Sequence, residues 1–173
     1  MSKRNLKQYL SELTKKQLQE QVVELYEKFG NVKTYYDFVF HPNEEKLSKE
    51  AKLKISNEFF PINNRKPKMR RSVAQKYVKH FAELGVDAFV TADIMLFTLE
   101  IAQSFTAEKP IKQEAFYKSM YNLFKQVTEF VVEKGIYYEF KNRIKAVVIE
   151  AINQKWSNKN EISQFVQKIR RQN

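Results

Sequence analysis

The stretch Asp87–Phe105, DAFVTADIMLFTLEIAQSF, decides the fold. Asp87 is a favoured N-cap residue. Behind it, apolar residues recur on nearly every side of a 3.6-residue helix, from Ala88 to about Phe105. A helix apolar all round is a buried helix, so the segment predicts a central helix with others packed around it. Two acids, Asp93 and Glu100, stand seven residues apart and therefore share one of its faces. With Asp87, they argue against reading Val86–Phe105 as a bilayer span, and no membrane insertion is expected.

Working outward, the same period runs through the chain. Ser2 predicts a cap for a short helix through Leu13. Thr14-Lys-Lys-Gln17 reads as a capping box, with Leu13 and Leu18 as its hydrophobic staple. Asn31–Phe40 is aromatic-rich and alternates like a strand. Val32, Tyr35, Tyr36 and Val39 also share a helical face, and the helix is the reading adopted. Asn43 caps the next helix, with Glu44 and Glu45 in its first turn. Leu47, Ala51, Ile55 and Phe59 line one side of it, and Phe60-Pro61 stops it. Ser72 is the expected cap of the following helix, Pro110 the first-turn residue of another, Ile136 the start of a long one, and Asn160 the cap of the last. The fold class is all-α: a compact multi-helix array, or a short superhelix of helical hairpins. The chain is read as a single helical domain over 1–173, interrupted by a basic loop at 61–71.

Several chemistries lack their residues. There is no cysteine, so no disulfide or thiolate chemistry. The three glycines, Gly30, Gly85 and Gly135, all fall where left-handed helix C-caps are expected, which leaves none for a phosphate-cradling loop. Two histidines without cysteine do not make up the usual zinc ligand sets. Asp93 and Glu100 are the weak candidates for acid–base or metal chemistry. No Glu-x-x-His partner motif accompanies them, and their expected role is as structural counterions. No enzyme activity and no cofactor are expected. The N-terminus has cations with no apolar stretch behind them, which fits a cytoplasmic protein.

The net charge of +11 is unevenly placed. Residues 61–86 carry seven cations and one acid, and residues 136–173 carry eight cations and three acids. Lysine outnumbers arginine 24 to 7, a bias that AT-rich coding produces without selection for binding. The arginines are harder to dismiss on that ground, because three stand at 65, 70 and 71 and two more at 170 and 171. Arg65, Lys66, Lys68, Arg70 and Arg71 form a cationic segment that Lys76 and Lys79 continue onto the next helix. Seven cations in 15 residues suit a polyanion, nucleic acid or ribonucleoprotein, with Lys168, Arg170 and Arg171 as further candidates. Phe59, Phe60 and Tyr77 could stack on bases, but their spacing fits core stripes and core is the expected place for them. Alternatively, the loop arginines fold back on Asp93 and Glu100. The basic loop is then structural, and the chain is a helical adaptor for a protein partner.

Leu10-Ser-Glu-Leu-Thr-Lys-Lys-Gln-Leu18, Glu24-Leu-Tyr-Glu-Lys-Phe29 and Val32-Lys-Thr-Tyr-Tyr-Asp-Phe38, with Arg70-Arg-Ser-Val-Ala74 and Ala92-Asp93, resemble a group of small bacterial helical proteins that form a domain of unknown function. The resemblance covers nearly the whole chain. It implies a single helical domain and carries over no catalytic or binding residues.

Overall fold

The structure is a computed structural model, and it describes residues 2–62 and 65–170. Among the described residues there are nine helices and no strand: α1 (Lys3–Ser11), α2 (Lys15–Lys28), α3 (Gly30–Phe40), α4 (Glu44–Phe59), α5 (Arg71–Leu84), α6 (Ala88–Glu108), α7 (Glu114–Glu133), α8 (Tyr137–Asn153) and α9 (Lys159–Arg170). They fall into two compact units, Met1–Asn43 and Glu44–Asn173.

The first unit holds α1 to α3. Ser2 caps α1 by accepting from the Asn5 N–H, and Thr14 and Gln17 close the capping box of α2. The aromatic-rich segment is a helix, with Tyr36 stacked on Phe40 at 6.0 Å and the Tyr26 hydroxyl donating to Asp37 at 2.8 Å. Gly30 departs from expectation. It opens α3 rather than closing α2, because Phe29 takes extended backbone and separates the two helices. No described residue of this unit is buried.

The second unit is built around α6, which packs against α4, α5, α7 and α8. By length and composition α6 could cross a membrane, but here Ile94, Met95, Leu96 and Leu99 are covered by neighbouring helices. Each such side chain contributes about 2 kcal/mol through removal from water. Its buried threonines satisfy themselves. Thr91 and Thr98 donate to the carbonyls of Asp87 and Ile94, one turn back. Gln103 donates to the Val147 carbonyl of α8 at 2.7 Å. Trp156, fully buried, donates to Gln154 Oε1 at 3.0 Å, and Thr106 donates to the same oxygen.

Three expected helix starts are displaced. Helix α5 begins at Arg71 with Arg70 in the cap position, so Ser72 is already helical. Pro110 lies ahead of α7, which starts at Glu114. Helix α9 starts at Lys159, placing Asn160 in its first turn, while Asn158 donates to the Tyr117 carbonyl at 2.6 Å. Gly85 and Gly135 do take left-handed backbone, φ 76° and 71°. Only a residue without Cβ adopts that conformation freely.

Candidate polyanion-binding cleft

The candidate site lies within the second unit, where the connection between α4 and α5 turns back over the end of α4. One residue anchors that connection. The Glu58 carbonyl accepts from the N–H groups of Lys68 (3.0 Å) and Met69 (2.9 Å). Its carboxylate accepts from Arg70 Nε and Nη2, both at 2.8 Å, a two-pronged pairing that uses both carboxylate oxygens. The Arg70 hydrogen bond is the main cause that holds the Glu58 carboxyl below its ordinary pKa. Met69 takes left-handed backbone, φ 50°, a conformation that costs a non-glycine residue about 1 kcal/mol and recurs at ligand clamps.

Anchoring the chain this way opens a cleft of about 540 Å³ between α4, the connection and α5. Six cations line it: Lys54 from α4, Arg65, Lys66, Lys68 and Arg70 from the connection, and Lys76 from α5. The one acid in its lining is Glu58, already engaged by Arg70. The other five cations have no ion pair among the described residues. The remaining wall is mixed, with Asn57 from α4, Pro61 and Ile62 from the connection, and Val73 and Tyr77 from α5.

The basic segment is therefore divided. Arg65, Lys66, Lys68, Arg70 and Lys76 come together around the cleft. Arg71 and Lys79 do not line it. Arg71 is half-buried, and burial lowers its pKa. Lys79 sits 3.8 Å from Glu83 on the exposed side of α5. Lys54 joins the cleft from a helix whose sequence gave no hint of it, because α4 reads as an ordinary mixed-charge surface. Of the aromatic residues, Phe59 is buried and Phe60 packs edge-on against Phe105 at 5.6 Å. Tyr77 alone of the three lines the cleft, and its ring meets Phe81 edge-on at 6.2 Å. Burial, then the nearby Glu50 carboxylate, raises the pKa of the Tyr77 hydroxyl. Lys168 is exposed on α9, and Arg171 lies outside the described residues.

The loop arginines do not fold back on the acids of α6. Arg143 of α8 donates to Glu100 through Nε and Nη2, both at 2.9 Å, and to Asp93 through Nη1 at 2.7 Å. Lys52 of α4 reaches the second oxygen of Asp93 at 2.6 Å. Burial opposes ionisation of Asp93, but the hydrogen bonds from Lys52 and Arg143 outweigh it and leave its pKa lowered. The signal for this network was a lone arginine one turn from Phe140 and Val147, on the apolar side of α8. Among the described residues no group of three His, Asp or Glu side chains converges as a metal site requires.

No curated protein and no solved structure matches the chain. A family model does, over residues 1–170, and its description is "Family of unknown function (DUF6155)". The cleft, the Arg143 network and all nine helices lie within that span, and the chain belongs to this family.

Proposed function

We propose that the protein is a non-enzymatic binding module whose cleft between α4 and α5 holds the phosphates of a nucleic acid. One observation carries this reading: five cations without ion pairs surround a concave site whose only acid is already neutralised. Clustered cations of this kind bind phosphates by displacing the counterions condensed on the nucleic acid, and arginine adds directional hydrogen bonding. The network at Asp93 and Glu100 is not an acid–base site on this reading, since its carboxylate oxygens accept from Arg143 and Lys52.

A salt series on binding of labelled oligonucleotides tests the proposal. If five cations meet phosphates, log K falls against log salt with a slope of about −3.5 on single strands and about −4.5 on duplex. Absence of binding at low salt overturns it.

A second reading, a helical adaptor for a protein partner, is favoured by the first unit. Val23, Leu25, Phe29, Tyr35, Val39 and Phe40 are all exposed there, and exposed apolar side chains that form a contiguous patch mark interaction surfaces. Retention of a specific partner by the wild-type chain and its loss with Val23→Lys and Phe40→Lys combined supports this reading. Equal retention by both removes it.

A further inference from the structure

We infer that the cleft takes single-stranded nucleic acid, with one base inserted against Tyr77 while the lysines and arginines around it hold the flanking phosphates. The inference rests on the phosphate-binding reading above and goes further, because it names the form of the polymer.

Three features point to it. The first is concavity. Duplex backbone is met by cations on an outward-facing surface, whereas about 540 Å³ of recessed space matches the roughly 300–1,000 Å³ of sites that enclose small organic groups. A single nucleotide with its base turned out is such a group. The second is the composition of the wall. Phosphate alone has no use for Pro61, Ile62, Val73 and Tyr77, yet these share the cleft with the cations. A base offers an apolar face to such a wall and an anionic linkage on either side of it. Aromatic platforms set in basic grooves bind single strands in this manner. The third is preparation of the ring. Tyr77 is held edge-on by Phe81, with its hydroxyl towards Glu50, so little side-chain freedom is lost when a base stacks on it. Asn57, in the same lining, carries an amide that can both donate to and accept from a base edge. Duplex DNA hides its base faces, so it could use only the cations.

The test uses the full chain and four labelled probes of equal length: a single strand, the same strand with abasic sites throughout, a duplex, and inorganic polyphosphate. The intact single strand is expected to bind about tenfold tighter than the abasic strand, the effect of stacking one base, and tighter than the duplex. Tyr77→Leu is expected to remove that advantage and leave the abasic affinity and salt slope unchanged, whereas Tyr77→Phe keeps it. Equal binding of intact and abasic strands, or tighter binding of the duplex, overturns this inference and leaves the phosphate reading standing. Failure of every probe at low salt overturns both. The comparison of intact with abasic strands needs no variant, so it holds even if Tyr77→Leu impairs folding.

Discussion

The second unit contains two charged clusters, and they are opposites. At α6, two carboxylates and two cations close on one another, so that Arg143, Lys52, Asp93 and Glu100 tie α4, α6 and α8 together. Around the α4–α5 cleft, a single carboxylate meets six cations, and only Arg70 is paired. Half-covered charge with matched partners is fixed structure, because each group left alone there would lack compensation. Exposed charge without partners is repulsive within the fold and is stabilised by an outside anion. The ratio of acids to cations distinguishes the two clusters, two to two at α6 and one to six in the lining of the cleft.

The comparison breaks most visibly at Arg143. Arg143→Met removes one charge and leaves two facing carboxylates with only Lys52, and we expect a loss of about 2 kcal/mol, below the figure for a fully buried pair because the side chains are partly exposed. Urea denaturation measures it, and an unchanged midpoint would show that the network is ornamental. Acid acts on both clusters next. The folded-state pKa values of Asp93 and Glu58 are lowered, so their stabilisation is full above the ordinary carboxylate range, about pH 4, and is lost as pH falls through the lowered values. Stability is expected to drop below that range, and Arg143→Met is expected to flatten the drop. A profile of equal steepness in both proteins would contradict this. Arg70→Lys comes third. It keeps the charge but not the two-pronged bond to Glu58, so a small loss of stability is expected, with a larger increase in protease cleavage between α4 and α5. Smallest is Lys54→Gln with Lys66→Gln and Lys76→Gln. Stability is expected to stay within about 0.5 kcal/mol, while the salt slope on single strands becomes shallower by about 2. A marked loss of stability in this triple variant would place the cleft cations among the structural ones.

The sequence carried the centre of this fold because α6 is apolar on all sides and long, a pattern with one physical solution. The caps were less legible because tertiary contacts decide among competing starts. Ser72 had the right side chain, but Glu58 fixes Arg70 and so sets the first turn of α5 two residues earlier. Asn160 lost to a start at Lys159 beside Asn158, whose amide is drawn to Tyr117. At the cleft, cations adjacent in sequence could be grouped by inspection, but Lys54 lies 11 positions before Arg65 and reaches the same space only when α4 and α5 fold together. Arg143 was hard to read for a related reason. It stands between Lys141 and Lys145 and reads as one more surface cation, and its importance comes from two acids more than 40 residues away.

The double hold of Glu58, carbonyl on one side and carboxylate on the other, has a consequence for how this connection can vary. Both feet of the arc stand on the end of one helix, so chain added or removed between Phe60 and Lys68 alters its reach without disturbing either footing. Closing a longer loop costs little, about 0.6 kcal/mol for each doubling of length. Within the family, the arc is expected to differ in length and composition while a carboxylate at position 58 and a guanidinium at 70 persist together. The residues that the connection contributes to the cleft can then diversify independently of the contacts that hold the connection in place.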